Sequence, residues 1–286
     1  MLEQFCDNLK NSQTYNDVFM EKSRKTYATA VGYFEQEGLF GTNHVAIVDT
    51  GWTGSMQRSL RQLLERAGHT PKITGFYFGM YVDAKEKKDG EYITWYFNQA
   101  GPAKNKIMIC NNLLESMLSA PHGMTVGYKL ENGRYIPIQK PAPAGKQLED
   151  TVLQNRVILE FAYKIISKVS YLGFNQEQHL KLTQELLKQL MVYPEQKEVE
   201  AYQNFLFCDD ITESYKMDLH NSQQDLSRYL ILKRVYRKVL SKKEIMQQPE
   251  ALWLYASIAF LPAHKQWWYR ANIIVWEWLK YILKKR

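Results

Sequence analysis

A chain of 286 residues, 45% of them hydrophobic, can bury one large core or two ordinary ones. Its net charge of +7 admits anionic partners, from phosphates and nucleotide-sugars to an acidic membrane or nucleic acid, and selects none of them. Three scattered cysteines, an N-terminus bearing Glu3 and Asp7, and no run of about 18 apolar residues exclude a disulfide scaffold, a secretory signal core and a helical bilayer span; the thiols read as reduced, in a cytoplasmic protein.

Residues 14–37 read as a helix, with Tyr15, Val18, Phe19, Tyr27, Ala30, Val31 and Phe34 at helical spacing and Gly38, Gly41 and Asn43 closing it. The chain starts abruptly in this region. We therefore expect residues 1–24 to be a helical lead-in, preceded by a further segment in this polypeptide or by an enzymatic partner. His44 to Met80 is the organising stretch. Val45 to Val48 is short and apolar enough for a buried strand ending at Asp49, and Thr50-Gly51-Trp52-Thr53-Gly54-Ser55 then turns the chain. Met56, Leu60, Leu63, Leu64 and Ala67 share one face of the following helix, which Gly68 ends, and Ile73 to Met80 is a second β-rich run. The expected fold class is α/β, a Rossmann-like, mostly parallel sheet over residues 25–145 followed by a helical domain over 146–286.

Further along, Asp83 to Gly90 reads as a charged hairpin-like turn and Glu91 to Asn98 as a strand. Ala100 to Lys106 reads as a loop. Ile107 to Ser119 begins as an apolar run and continues as a helix, with Leu113, Leu114, Met117 and Leu118 inward. Glu131-Asn132-Gly133 between two β-rich runs is a strong hairpin signal. After residue 147 the texture becomes helical, over 148–169, 176–191 and 195–207. An acidic patch holds Asp209, Asp210 and Glu213, and a basic helix spans 224–240. Ala251 to Leu261 reads as a buried helix, and an aromatic helix with basic flanks runs over 266–286.

The loop after Val48 carries the best candidates for chemistry. Ligands of open α/β sheets sit beyond the carboxyl ends of the strands, and a helix N-terminus there offers free N–H groups to a phosphate. Gly51 and Gly54 permit close backbone approach, Thr50, Thr53 and Ser55 supply hydroxyls, and Trp52 borders the ligand side. Ser55 or Thr53 serves equally well as a helix N-cap. Asp49 can bind a metal such as Mg²⁺ or a ribose hydroxyl, act as a base, or attack as a nucleophile. The segment is not a P-loop, since no Lys stands between Asp49 and Ser55. It has one acid where the phosphoribosyltransferase loop has two. Set against the Asp-x-Asp-x-Thr of haloacid-dehalogenase-like phosphatases, it has Gly51 in place of the second Asp, whose proton donation is worth about 10²–10⁴ in rate.

Three motifs together point to a family: Val-Ala-Ile-Val-Asp-x-Gly-Trp-x-Gly-Ser-x-Gln over Val45 to Gln57, Gly-Phe-Tyr-Phe-Gly over Gly75 to Gly79, and Leu-Leu-Glu-x-x-Leu-x-Ala-Pro-x-Gly-x-x-x-Gly-Tyr over Leu113 to Tyr128. In these the chain resembles large proteins of bacterial capsule and O-antigen gene clusters, described as haloacid-dehalogenase-like hydrolases or glycosyltransferase-associated proteins. The resemblance implies a role in surface-polysaccharide assembly, with this region following an N-terminal phosphatase-like domain.

The third motif adds Glu115 and His122, a carboxylate on an apolar helix and an imidazole in a Gly/Pro loop. They are expected either to pair for base catalysis or sugar-hydroxyl binding, or to be a structural carboxylate and an exposed loop residue. The basic stretch Arg228 to Lys243 suits an anion or a solvated helix face. Trp267, Trp268, Trp276, Trp278 and Tyr281 with Lys280, Lys284, Lys285 and Arg286 suit either a core helix or peripheral contact with the inner face of the plasma membrane. Nucleic-acid binding finds no motif here. The expected function is an enzyme, a glycosyl or phosphosugar transferase, that binds a phosphorylated sugar or nucleotide-sugar at Asp49 to Ser55. The rivals are a non-catalytic module docking a separate phosphatase or transferase, and a phosphoribosyltransferase-like or haloacid-dehalogenase-like enzyme.

Overall fold

The computed structural model describes residues 2–82, 90–173, 175–208, 216–220, 225–240 and 252–284. The chain divides into two compact units, Met1–Thr94 with His122–Ala142, and Trp95–Pro121 with Pro143–Arg286. Residues 25–145 thus contribute to both. The architecture is mixed α/β, with a three-stranded parallel sheet and a helical C-terminal region.

The first unit opens with α1 (Leu2–Lys10) and α2 (Gln13–Gln36). Ser12 caps α2, its hydroxyl accepting from the Tyr15 N–H at 3.3 Å. The expected apolar stripe is inward only in the second half of α2. Ala30 is buried, whereas Tyr15, Val18 and Phe19 are exposed. The second half lies on a hairpin of β4 (Thr125–Glu131) and β5 (Arg134–Gln139), where Tyr33 stacks on Tyr128 with centroids 4.2 Å apart. The Gln36 amide bonds both ways to the Tyr135 backbone, donating to its carbonyl at 3.0 Å and accepting from its N–H at 2.7 Å. Asn132 and Gly133 make the turn with φ of +50° and +78°, the pair of positive values a tight Asn-Gly hairpin needs.

The sheet runs in the order β1 (His44–Asp49), β2 (Lys72–Gly79), β3 (Glu91–Phe97). β1 and β2 are parallel, with Val48 opposite Phe76 and Asp49 opposite Tyr77. Lys72 pairs with Glu91 at 2.8 Å and Thr74 donates to it at 3.4 Å, so β3 starts beside the start of β2 and runs with it. The charged, hairpin-like turn expected over Asp83–Gly90 falls on residues 83–89, which lie outside the described ones.

Helix α3 (Ser55–Arg66) covers one face of the sheet, burying Leu64, Ile73 and Tyr77. On the other face Val48, Phe76 and Ile93 are exposed, Val48 by 87%. β1 is therefore not the buried strand its composition suggests. It is an edge strand covered on one side. Met56 is also displaced from the expected inward stripe: it is 65% exposed, and Gln57 is fully buried instead. The inward positions are Gln57, Leu60 and Leu64, a spacing of three and four, and Met56 stands about 100° off that line.

In the second unit α4 (Ala103–Ile107) and α5 (Asn111–Met117) replace the expected loop and single helix. Leu113 and Leu114 are buried, but Leu118 is exposed. Then come α6 (Lys146–Leu172), α7 (Gln176–Val192), α8 (Gln196–Ala201), the short strands β6 (Leu206–Phe207) and β7 (Met217–Asp218), a 3₁₀ turn over Leu226–Tyr229, α9 (Ile231–Leu240), α10 (Leu254–Ala259) and α11 (Ala263–Lys284). The helix expected over 195–207 ends at Ala201. Asp209, Asp210 and Glu213 lie outside the described residues. Trp253 is fully buried, its indole N–H donating to the Met191 carbonyl at 2.9 Å, with Val192, Val199, Leu219 and Ile258 also in the core.

α11 is held by the polar tips of its inner face. Gln266 donates to the Ala259 and Leu261 carbonyls at 3.1 and 2.7 Å, and Arg270 donates to the Val192 carbonyl at 3.0 Å. The Ala259 and Val192 carbonyls end α10 and α7 and have no partner within their own helices, and Leu261 lies just beyond α10. Lys106 of α4 donates to the Gln99 and Gly101 carbonyls and to the Tyr281 hydroxyl. Cys110 is half-buried, its thiol donating to the Leu252 carbonyl at 3.3 Å, and the loss of solvent around the sulfur pushes its pKa up to about 12.

Candidate functional site

The loop from Asp49 to Ser55 is fixed by backbone before any side chain is considered. The Gly79 N–H donates to the Thr50 carbonyl at 3.3 Å and the Tyr81 N–H to the Trp52 carbonyl at 3.0 Å, which lays the loop along the end of β2. Gly51 has φ +133°, and a Cβ there would stand 2.1 Å from the Gly79 carbonyl oxygen. Only glycine fits. Gly54, at φ +67°, is the N-cap of α3; a Cβ there would meet the Tyr92 ring at 2.5 Å. The Gly51–Trp52 peptide is cis. Trp52 packs edge-on to Phe78 and against Tyr81, with centroids 6.3 and 5.8 Å away.

Asp49 is half-buried, and its Oδ1 accepts from the Gly51 N–H at 3.2 Å. The carboxylate therefore steadies its own loop. Among the described residues its second oxygen makes no hydrogen bond. Neither Thr53 nor Ser55 caps α3, because Gly54 occupies that position and brings no side-chain cap. Instead the exposed Thr53 hydroxyl donates to the Ser55 oxygen at 3.3 Å. The first turn of α3 thus offers N–H groups and two hydroxyls beside one carboxylate. Such a helix start suits an anion the size of a phosphate.

Beneath the loop lies a polar junction absent from the sequence reading. The Tyr77 hydroxyl donates to Gln57 Oε1 at 2.9 Å, and Gln57 Nε2 donates to the Glu91 carbonyl at 3.2 Å and faces the Ile73 carbonyl at 3.5 Å. One amide thereby joins α3 to β2 and β3. A Cβ at Gly75 would stand 2.0 Å from Gln57 Oε1, so the glycine makes room for the amide. Burial raises the Tyr77 pKa, and the charge of Asp49 and the neighbouring Tyr92 add to the shift. A polar residue at the head of an otherwise apolar helix stripe was the signal for this junction. Gly75-Phe-Tyr-Phe-Gly79 is its other half.

The remaining sequence candidates fall elsewhere. Glu115 is on α5, in the second unit, and is half-buried. His122 is exposed in the first unit, at the open end of the β4–β5 hairpin; its Nδ1 lies 2.9 Å from the Gly123 carbonyl and 3.1 Å from the Gln139 amide nitrogen. A Cβ at Gly123 would overlap the Lys140 carbonyl oxygen, so this glycine closes the hairpin base. In the basic stretch Arg234 packs over the Tyr229 and Trp276 rings, at 4.9 and 5.3 Å, rather than lying on a wholly solvated face. Among the described residues no group of three His, Cys, Asp or Glu side chains could hold a metal ion. Mg²⁺ at the loop would have Asp49 as its carboxylate and would draw its remaining ligands from a bound phosphate and water. Among the described residues no helix is long and apolar enough to cross a membrane. The sequence matches no protein-family model and no curated protein.

Proposed function

We propose that the chain binds a phosphorylated sugar or nucleotide-sugar at Asp49 to Ser55, as an enzyme or enzyme half in bacterial surface-polysaccharide biosynthesis. The parallel β1–α3–β2 unit is then the core of a Rossmann-like domain. The observation that carries the reading is the start of α3 without a side-chain cap, presented by a loop pinned to Gly79 and Tyr81 beside a carboxylate whose second oxygen makes no hydrogen bond among the described residues. In this arrangement the phosphate takes the N–H groups of the first turn of α3 and the hydroxyls of Thr53 and Ser55. Asp49 accepts from a sugar hydroxyl or shares Mg²⁺ with the phosphate, and transfer of the phosphorylated sugar or glycosyl group is the matching reaction class. Glu115 and His122 remain the base candidates named by the sequence.

Isothermal titration with a panel of nucleotide-sugars and sugar phosphates, with and without Mg²⁺, tests it. Binding should weaken about ten-fold in Asp49→Asn, the loss of one charge-assisted bond, and vanish in Ser55→Asp, which sets a negative charge at the helix start. Equal affinity in both folded variants overturns the site. A second reading, a non-catalytic module docking a separate phosphatase or transferase, draws on the single carboxylate of the loop and on the exposed Val48, Phe76 and Ile93. It expects no binding to any member of the panel and a stable complex in pull-downs.

A further inference from the structure

Arg270 on α11 is a cation that the protein itself does not neutralise. Its Nε donates to the Val192 carbonyl at 3.0 Å and its Nη1 to the Gln266 amide oxygen at 2.9 Å, both neutral acceptors. Among the described residues Nη2 donates to nothing and the guanidinium pairs with no acid. Tyr193, at the C-terminal end of α7, covers it with its ring centroid 5.2 Å away. Loss of solvent lowers the Arg270 pKa, and the groups that counter this are the Tyr193 and Tyr255 hydroxyls, not a carboxylate. Glu277, two turns along α11, is engaged by Arg234 at 3.6 Å and by Lys280 at 2.8 Å. Charges withdrawn from water are ordinarily paired.

Tyr255 on α10 brings a second unmet group to the same place. The residue is 9% exposed, and its buried hydroxyl has no hydrogen-bond partner. Arg270, Arg234, Glu277 and the Tyr193 hydroxyl all act on it electrostatically, which sets it among the side chains of α7, α9, α10 and α11. A buried hydroxyl without a partner is costly, and native proteins keep few of them. One ligand answers both needs. An oxyanion supplies the charge for Arg270 and an acceptor for the Tyr255 O–H. Phosphate suits better than carboxylate, because it keeps oxygens for the two tyrosine hydroxyls once Nη2 has donated.

We propose that Arg270, Tyr255 and Tyr193 form a binding site for a phosphate group, with Arg270 Nη2 and the Tyr255 hydroxyl donating to its oxygens. Tyr193, 37% exposed, stands on the solvent side and swings aside to admit it. The site belongs wholly to the second unit and stands independently of the Asp49 loop.

The test is hydrogen exchange of the full chain, titrated with inorganic phosphate against sodium chloride of equal ionic strength. Phosphate should protect peptides covering residues 254–284, and acetate should do so about ten-fold more weakly. Tyr255→Phe separates ligand binding from packing. It removes a hydroxyl that bonds to nothing in the protein, so without phosphate these peptides should exchange no faster than in the wild type, while phosphate affinity should fall about ten-fold. Arg270→Gln should abolish the protection; should the loss of its bond to Val192 prevent folding, Tyr255→Phe still decides. No protection of residues 254–284 by phosphate overturns the proposal, as does equal protection by acetate or unchanged affinity in Tyr255→Phe. Faster exchange of phosphate-free Tyr255→Phe would give the hydroxyl a structural role and overturn it too. Protection of residues 44–80 alone assigns the phosphate to the Asp49 loop and overturns this site while supporting that one.

Discussion

Replacing Gln57 by Leu tests the junction that holds the loop in place. The change keeps the volume similar and removes three contacts among the described residues: the acceptor of the Tyr77 hydroxyl at 2.9 Å, the donor to the Glu91 carbonyl at 3.2 Å and the long approach to Ile73. A buried hydroxyl left without a partner costs about 1–3 kcal/mol, and a lost backbone acceptor contact adds about 1 kcal/mol. Tyr77 is almost wholly buried, so water does not repair the loss. We expect Gln57→Leu to lower the stability of the first unit by about 2–4 kcal/mol and Tyr77→Phe by about 1–2 kcal/mol. The double variant should fall short of their sum by about 1–2 kcal/mol, because both changes break the same bond. Hydrogen exchange of peptides covering residues 44–80 reads the opening of this unit locally, apart from the helical one. A double variant that equals the sum of the singles within about 0.5 kcal/mol refutes the coupling.

Two more predictions concern the loop and a thiol. Gly51→Ala should destabilise the same peptides by about 3 kcal/mol or more, since φ is +133° and the methyl overlaps the Gly79 carbonyl. Gly68→Ala, at φ +81° with open space around it, should cost about 1–2 kcal/mol, and equal effects would mean that the Gly51–Gly79 approach does not constrain the loop. Desolvation raises the Cys110 pKa and holds the thiol protonated at pH 8, so exposed Cys6 should be alkylated by iodoacetamide while native Cys110 is spared until denaturant is added. Equal labelling rates in the native protein would place Cys110 in a different environment.

Local chemistry made much of this fold legible. The Asn-Gly turn, the limits of α2, α3, α6 and α7, and the glycine after α3 all follow from signals contained in a few residues. What escaped depends on layers. Val48 is apolar in a β-rich run, and nothing local says that its strand is an edge with one face uncovered. Gln57 is polar in a helix with a charged face, and only the facing Tyr77 and Gly75 make it an inward residue. The strand at Glu91 was legible from its alternation, but its direction in the sheet is set by where Glu91 meets Lys72. In the candidate loop, Asp49, Gly51 and Gly54 were singled out by their spacing, and both glycines have close-packing duties that spacing does not reveal. The pairing of Glu115 with His122 came from proximity in sequence, and the chain assigns them to different units.

The first unit is also assembled from two separated stretches of chain. The bonds from Gln36 to Tyr135 join residues 99 positions apart, and α2 presents Tyr33, Phe34 and Gly32 to a hairpin made after the whole of α3 to α5. On a ribosome adding about 5–20 residues per second, the second half of α2 waits roughly 5–20 s for its partner. Through that interval its aromatic face is available to chaperones or to a neighbouring nascent chain. The unit closes only once the β5 strand has left the exit tunnel, so truncation ahead of residue 139 leaves α2 uncovered even though its own sequence is complete.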